Sequence, residues 1–291
     1  MHHLIRVSGS SPTDVETFEG GARVGDYTIE RENSREESGI VYQATHLLLP
    51  RKAHIKVARD VDRAVAKQLL REACLLEALQ HPGIPRVYEC GILASDRRPW
   101  VAFQRIDGLS LQSSLGDGPM PIADLVVVLR DVADVLTHAH ARGVVHTKLS
   151  SETIVRTPER PLAVYLRGWS GARTVESTES LDVRDDVYAL GAVAFRALTG
   201  CLHNPSVSAT DWCPGAPSEL TALIDVMLDA NTRVRPTSEE VRERATWLAS
   251  TIAPIEISKP RWTPPNGLDR ETHEPIPTSS FSIRIGRTIT K

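Results

Sequence analysis

The stretch that decides the fold of this chain runs Ala139-His140-Ala141-Arg142-Gly143-Val144-Val145-His146-Thr147-Lys148-Leu149-Ser150-Ser151-Glu152-Thr153-Ile154-Val155. It follows an apolar helical run, from Leu125 to His140, that stops at Gly143. Two β-branched residues and a histidine come next, and then a polar loop and a second short apolar pair. The pattern predicts a long helix, a strand-like piece, a loop and a further strand-like piece.

Length and composition narrow the class of protein. The 291 residues suit one large domain or two smaller ones, and 41% hydrophobic content supplies a sizeable core. A net charge of −3 gives no basic field that would favour nucleic acid or an anionic membrane. No signal peptide and no apolar window of roughly 18 residues is evident, so we expect a cytoplasmic protein. Four cysteines without C-x-x-C spacing favour buried free thiols: Cys74, Cys90, Cys201 and Cys213.

The first part of the chain changes from polar to strand-forming at Asp26. Residues 1–25 are polar and rich in Gly and Ser, which predicts a flexible arm. Helical spacing then marks residues 62–80. Strand signals lie on both sides of that helix, at Tyr27–Ile29, Gly39–Ala44, Ala53–Ala58, Val87–Ile92 and Pro99–Phe103. The order predicts a small α+β unit.

The rest of the chain is mainly helical up to about residue 252. Helices are predicted at Leu125–His140, Asp186–Leu198, Ser218–Leu228 and Ser238–Ser250. The last of them begins with a capping signal at Thr237. Residues 254–291 carry six prolines and many Ser and Thr, which predicts a disordered tail.

Four separated segments resemble, in this order, the bacterial serine/threonine protein kinase family: His81–Ile84, Asp182–Gly191, Leu198–Gly200 and Arg233–Glu239. The spacing of residues in the stretch quoted first also resembles the catalytic loop of that family. The resemblance covers roughly residues 26–250. It implies that Asp186 hydrogen-bonds the backbone of the catalytic loop, and that Arg235 normally pairs with a glutamate.

The resemblance implies an α+β, two-lobed protein kinase-like fold with disordered termini. A small mainly-β N-lobe with one helix would occupy about 26–106, and a larger mainly-α C-lobe about 107–252. The arm (1–25) and the Pro/Ser/Thr-rich tail (253–291) would flank this domain.

The positions that carry chemistry in the family are degenerate here. In H-R-D-L-x-x-x-N, the catalytic Asp is replaced by Lys148 and the metal-binding Asn by Thr153. Gly168 stands at the Asp of D-F-G, and a shift by one residue would put Arg167 there. A cationic lysine cannot take a proton from a substrate hydroxyl, and neither Gly168 nor Arg167 offers the oxygen ligands that magnesium needs.

The nucleotide cleft is only partly retained. Lys56 and Glu72 match the family's lysine–glutamate pair, which would either bind a phosphate-bearing ligand or hold the helix against the sheet. Of the three loop glycines only Gly39 remains, since Ser34 and Glu36 occupy the other two positions. The carboxylates of Glu36 and Glu37 would repel a triphosphate. The candidate ATP cleft also includes the hinge, with Phe103 as gatekeeper beside Gln104 and Ile106.

The activation segment is short, running only from Trp169 to Leu181, and no A-P-E is found. Arg235 should therefore lack its usual partner, which Glu176 or Glu179 could replace. Hydroxyls that another kinase could phosphorylate lie at Thr174, Ser177, Thr178 and Ser180.

The sequence supports three functional hypotheses. The first is a pseudokinase that acts as a signalling scaffold or allosteric regulator. Its partners would be signalling proteins, either an active kinase or a phosphopeptide-binding domain that reads the tail, and not nucleic acid or membrane. The second is an atypical active ATP-dependent kinase that uses Lys56, Glu72 and Lys148, with Glu152 or Asp107 as substitute acid. The third is a metal-independent nucleotide sensor. No cofactor is certain, and ATP would bind weakly and without magnesium.

Overall fold

The computed structural model describes residues 17–36, 38–157, 163–175 and 181–252. Its first lobe is a six-stranded antiparallel sheet in the order β1-β2-β3-β4-β6-β5. The strands are β1 (Arg23–Val24), β2 (Tyr27–Glu36), β3 (Gly39–His46), β4 (Lys52–Ala58), β5 (Val87–Ile92) and β6 (Pro99–Gln104). Helix α1 (Arg63–Leu79) lies between β4 and β5 in the chain, as the periodicity predicts.

Strand β2 is far longer than the predicted Tyr27–Ile29. Its second half is exposed and polar, so the alternation that signals a half-buried strand is absent there. The backbone still pairs with β3 as far as the Glu36–Gly39 pair, through irregularities after Ile29 and after Glu32. Backbone pairing therefore brings Glu36 to the mouth of the cleft.

The second lobe is built around the helix predicted from the quoted stretch, α3 (Ile122–His140), which has ten buried residues. Three further helices of ten or more residues pack beneath the cleft: α4 (Arg184–Thr199), α6 (Ser218–Met227) and α7 (Ser238–Thr251). The predicted cap of α7 is present as a capping box between Thr237 and Glu240. Two short helices also belong to this lobe, α2 (Leu111–Ser114) and α5 (Ala209–Trp212).

Short strands carry the loops that face the first lobe. They are β7 (Leu109–Ser110), β8 (Val144–Val145), β9 (Ile154–Arg156), β10 (Val164–Leu166) and β11 (Arg173–Thr174). Antiparallel pairing joins β7, β9 and β10 in one sheet, and β8 with β11 in another. One buried apolar cluster runs from α1 and β6 through α3, α4, α6 and α7, and so crosses between the lobes. A second buried cluster lies within the first lobe, on the six-stranded sheet.

Three predictions drawn from composition concern the N-terminal arm, the C-terminal tail and the cysteines. Residues 17–25, assigned to a flexible arm, contain β1 and place Phe18 against Tyr42 with ring centroids 5.6 Å apart. The rest of the predicted arm (residues 1–16) and the predicted tail (253–291) lie outside the described residues. The prediction of buried thiols is wrong: Cys213 is half-buried, and Cys74, Cys90 and Cys201 are exposed on a helix face, an edge strand and a loop.

Within the described ranges, no helix combines the length and the apolar character that crossing a bilayer requires.

Candidate functional site

A cavity of about 540 Å³ lies between the sheet of the first lobe and the loops of the second. The sheet contributes Val41, His54, Lys56 and Phe103, and α1 contributes Glu72. The floor includes Thr153, Gly168 and Trp169, and the hinge contributes Gln104 and Ile106. The cavity therefore brings together most of the residues predicted for the candidate ATP cleft.

The charge at the centre of the cavity belongs to Lys56, whose side chain is 3% exposed. Its Nζ lies 2.7 Å from Glu72 Oε2 on α1 and 2.7 Å from Glu36 Oε2 at the end of β2. Burial lowers the pKa of Lys56, but the two carboxylates outweigh it, so the pKa is raised and the ammonium stays charged. The Lys56 ammonium therefore forms ion pairs with two carboxylates of the same chain.

Glu72 responds in the opposite sense to an ordinary ion-paired carboxylate. Burial raises its pKa, Lys56 lowers it, and the neighbouring Glu36 raises it again, with a net rise. The surroundings therefore favour the charged form of Lys56, but they disfavour the charged form of Glu72. The sequence predicted that Glu36 repels phosphate, but it did not predict the ion pair with Lys56, which depends on the length of β2.

Gly39 has a packing role in this structure. A Cβ at this position would lie 2.2 Å from the carbonyl oxygen of Val57, because β3 and β4 pair closely where Gly39 faces Ala58. Strand pairing alone therefore excludes a side chain at Gly39.

The loop after β8 is held by a buried carboxylate. Asp186, near the start of α4, accepts hydrogen bonds from the backbone nitrogens of His146 (2.7 Å) and Thr147 (2.9 Å). It also contacts His140 Nε2 at 3.0 Å. The expectation from the family, that Asp186 hydrogen-bonds this loop, is confirmed. Thr147 has φ +64°, an uncommon conformation for a β-branched residue, and these bonds help to hold it.

The two positions that hold metal in the family are packed against each other. The Thr153 hydroxyl donates to the Ser150 carbonyl (2.9 Å) and accepts from the Ser150 nitrogen (3.0 Å). Gly168 has φ +88°, and a Cβ there would lie 2.8 Å from Thr153 Cγ2. Among residues 17–36, 38–157, 163–175 and 181–252, no group of three or more His, Cys, Asp or Glu is placed to hold a metal ion.

Trp169, at the Phe position of D-F-G, is buried and forms part of the floor of the cavity. Its indole nitrogen donates to the Leu166 carbonyl (2.8 Å), and its ring meets His146 edge-on at 4.7 Å. Burial lowers the pKa of His146, whose Nε2 lies 3.0 Å from the Arg167 carbonyl. These contacts fix the floor of the cavity by packing.

The side chain of Gln104 at the hinge is already engaged within the protein. Its amide nitrogen donates to the Tyr165 hydroxyl (3.0 Å), and its amide oxygen accepts from the Arg86 nitrogen (3.3 Å). Phe103 is 8% exposed and lines the same cavity beside Ile106.

Of the two substitute acids, only Glu152 lines this cavity. Asp107 lies behind the hinge, where it pairs with Arg105 (3.1 Å) and Lys52 (3.7 Å). Lys148 lines a neighbouring cavity rather than this one. The structure therefore does not bring Lys56, Lys148 and Asp107 together at one site.

Arg235 has found another partner. Its guanidinium lies 3.1 Å from Asp185 Oδ1 and 4.6 Å above the Tyr188 ring. The sequence predicted that another carboxylate would replace the usual glutamate partner of Arg235, and among the described residues Asp185 on α4 does so. The suggested replacements, Glu176 and Glu179, lie outside the described residues.

His54 is a cavity residue whose consequence the sequence did not reveal. Burial lowers its pKa to about 4, and the charges of Arg105 and Arg167 add to the effect. His54 is therefore neutral at pH 7. The sequence signal was its departure from the small residue of the family's V-A-I-K segment.

The low pKa of His54 makes stability depend on pH. The unfolded chain binds a proton at His54 near pH 6.5, but the folded chain does so only near pH 4, so this stability is present above pH 6.5 and is lost as the pH falls towards 4. We expect the loss of unfolding free energy from pH 7 to pH 4.5 to be smaller in His54→Gln, by on the order of 2 kcal/mol. Urea unfolding at both pH values measures it, and an unchanged pH slope in the variant would contradict the assignment.

Comparisons with known proteins agree with this architecture. The crystal structure of the PknI kinase domain of Mycobacterium tuberculosis superposes with a TM-score of 0.62 at 21% identity, and covers 79% of this chain and 99% of that domain. A double mutant of that domain gives a TM-score of 0.64, also at 21% identity, over 80% of this chain and all of the domain. The fold is the two-lobed protein kinase fold, as the sequence predicted.

Curated relatives add homology to the shared fold. The serine/threonine-protein kinase PknJ of Mycobacterium tuberculosis is 28% identical over 264 residues, which is 75% of this chain and 44% of the relative. PknF of the same species is 30% identical over 211 residues, which is 62% of this chain and 44% of the relative. The chain therefore spans less than half the length of these relatives. No family model matches it.

Proposed function

We propose that this chain, which is homologous to the bacterial serine/threonine protein kinases, is a pseudokinase that acts by binding signalling proteins and not by transferring phosphate. It would keep the two-lobed fold as a scaffold or allosteric regulator. Its partner would be an active kinase, or a phosphopeptide-binding domain that reads the Ser/Thr-rich tail.

The observation that carries the proposal is the contact of Glu36 with Lys56. In an active kinase this lysine meets the phosphates of ATP. Here the Glu36 carboxylate from β2 lies 2.7 Å from Lys56 Nζ, and the Glu72 carboxylate makes a second contact at 2.7 Å. An incoming phosphate would have to displace Glu36 and would meet its negative charge at short range.

The remaining chemistry supports the same proposal. Phosphoryl transfer needs a positioned nucleophile and metal-neutralised phosphates. Lys148 at the position of the base is a cation, and it lies outside the Lys56 cavity. The Thr153 hydroxyl is bonded within its own turn, and the space that an Asp side chain at position 168 would need is taken by Thr153.

Thermal unfolding with nucleotide tests the proposal. A ligand that binds the native state raises its stability by mass action, by about 2.7 kcal/mol at a hundred times Kd. We expect no change in the Tm of the wild-type protein with millimolar ATP or ADP, with magnesium or with EDTA. Glu36→Gln removes the competing charge, so a nucleotide-dependent rise in Tm is expected to appear in that variant.

The matched control is Glu32→Gln, which lies on the same strand and pairs with Arg35 away from Lys56. A wild-type rise in Tm that survives EDTA would replace the proposal with the nucleotide sensor. A rise that requires magnesium would favour the atypical enzyme.

A further inference from the structure

A separate cavity, of about 580 Å³, lies between the hinge and the small sheet of the second lobe, and we call it the hinge cavity. One wall is the chain from Gln104 to Leu109. The other wall comes from three elements of the second lobe, α2, β9 and β10, through Ser114, Arg156, Thr157 and Tyr165. The volume lies within the range of ligand pockets, roughly 300–1,000 Å³.

Packing and strand pairing hold the two walls of the hinge cavity in place. A Cβ at Gly108 would lie 2.4 Å from the Arg156 carbonyl oxygen, so the end of the hinge rests directly on β9. The next residue, Leu109, pairs with Arg156 as β7 meets β9. The Gln104 amide nitrogen donates to the Tyr165 hydroxyl at 3.0 Å. The cavity is therefore preformed, which reduces what a ligand would lose by ordering it.

Two arginines that line the hinge cavity retain unused hydrogen-bond donors. Arg105 donates from Nε to Asp107 Oδ1 at 3.1 Å and from Nη1 to Glu30 Oε2 at 2.9 Å. Arg156 donates from Nη2 to Asp124 Oδ2 at 2.8 Å. Among the described residues, no further acceptor takes the other N–H groups of these two guanidinium groups.

The charges beside the hinge cavity are balanced, and this balance limits the class of ligand. Ion pairs join equal numbers of cations and carboxylates there: Lys52, Arg105 and Arg156 with Glu30, Asp107 and Asp124. A dianion such as phosphate would therefore meet no surplus of positive charge. A single carboxylate still gains charge-assisted hydrogen bonds, because the unused guanidinium N–H groups are available to it.

A buried hydroxyl without a partner is an independent sign of a ligand. Thr157 lines the hinge cavity and is 8% exposed, and its Oγ1 has no hydrogen-bond partner among the described residues. Burying a hydroxyl without a partner is costly, so native proteins usually satisfy such a group with protein, water or ligand. A ligand that carries an acceptor oxygen would remove this cost.

We infer that the hinge cavity binds a small organic monocarboxylate that has an apolar body. The carboxylate would accept hydrogen bonds from Arg156 and Thr157. The body would pack against Ile106, the exposed side chain of Leu109 and the ring of Tyr165, which supply the apolar part of the lining.

This inference goes beyond the proposed function, because it gives the chain a small-molecule ligand in addition to a protein partner. Gln104 and Ile106 line both the hinge cavity and the Lys56 cavity. A ligand in the hinge cavity would therefore contact residues of the Lys56 cavity without entering it. The inference does not depend on whether the chain transfers phosphate.

Calorimetric titration of the full chain at pH 7.5 tests the inference with octanoate and indole-3-acetate, each beside its primary amide. We expect at least one carboxylate to bind, and to bind at least tenfold more tightly than its amide, because only the carboxylate forms charge-assisted hydrogen bonds with Arg156. Arg156→Gln should weaken that binding at least tenfold.

The matched control is Arg242→Gln. Arg242 has a similar exposure to Arg156 and also pairs with an aspartate of α3, Asp134, at 3.3 Å, but it does not line the hinge cavity. Its replacement should change Kd by less than twofold.

Thr157→Val separates ligand binding from structure. Loss of one hydrogen bond to the ligand should weaken binding by about fivefold. Without ligand the Tm of this variant should not fall, because the hydroxyl that it removes has no partner among the described residues. A hydroxyl with only a structural role would instead lower the Tm and leave Kd unchanged.

The inference would be overturned by absence of binding of both carboxylates, by equal binding of acid and amide, or by equal effects of Arg156→Gln and Arg242→Gln. Unchanged affinity in Thr157→Val would also contradict it. The Tm of each variant, measured in parallel, shows that it is folded. Phosphoryl transfer by the wild-type protein would overturn the proposed function and leave this inference standing, so the two failures are distinguishable.

Discussion

Asp186→Ala is expected to lower the free energy of unfolding by about 3–5 kcal/mol. The carboxylate is 1% exposed and serves the backbone nitrogens of His146 and Thr147 as well as His140 Nε2. Alanine leaves the buried N–H of His146 and the partly buried N–H of Thr147 without their acceptor, and release of Thr147 from its uncommon backbone conformation offsets only part of that cost. In a domain of this size the Tm should fall by roughly 10 °C.

Urea unfolding of Asp186→Ala beside Asp185→Ala checks this expectation. Asp185 is the next residue on α4, and its half-exposed side chain pairs only with Arg235 among the described residues. Its removal should cost about 1 kcal/mol or less. Equal losses in the two variants would show that Asp186 does not anchor the loop.

Lys56→Met is expected to cost about 3–5 kcal/mol, because it leaves the buried Glu72 carboxylate without a counter-charge. Glu72 already has a raised pKa through burial, so the lysine is what allows it to remain ionised there. Removing Lys56 should raise that pKa further. The loss of stability should therefore be smaller at pH 5 than at pH 8.

The double variant Lys56→Met/Glu72→Met gives the matched control. Replacing both members of a buried pair with apolar residues of similar size is often neutral, so we expect the double variant to regain most of the stability that the single variant loses. Chemical unfolding of the wild-type protein, the two single variants and the double variant gives the coupling energy. Additive effects would mean that the pair does not join α1 to the sheet.

The helices were largely predictable from the sequence because each buries one apolar face. The predicted Leu125–His140 and Ser238–Ser250 agree with α3 and α7 to within three residues. The full length of strand β2 was not predictable from the sequence, because its exposed second half has no apolar periodicity. That half is a strand through backbone pairing with β3. Motif spacing also predicted that Asp186 binds the backbone of the loop after β8 and that Lys56 pairs with Glu72.

The character of the site depended on geometry that motifs do not carry. The contact from Glu36 to Lys56 follows from where β2 ends, and the role of Gly39 follows from how close β3 lies to β4. The neighbouring cavity that Lys148 lines was not predicted, because its other basic residues, Lys67 and Arg71, come from α1 and lie some eighty residues before Lys148. Helical spacing with two basic residues on one face was the available signal.

Phosphoryl transfer from radiolabelled ATP tests the central claim most directly. The wild-type protein would be incubated with γ-labelled ATP, magnesium or manganese, and a generic serine/threonine substrate, beside Glu36→Gln and Lys56→Met. The account predicts no incorporation and no ATP turnover by the wild-type protein above the Lys56→Met background, with either metal. Metal-dependent transfer by the wild-type protein that Lys56→Met abolishes, while the variant remains folded at the assay temperature, would contradict it.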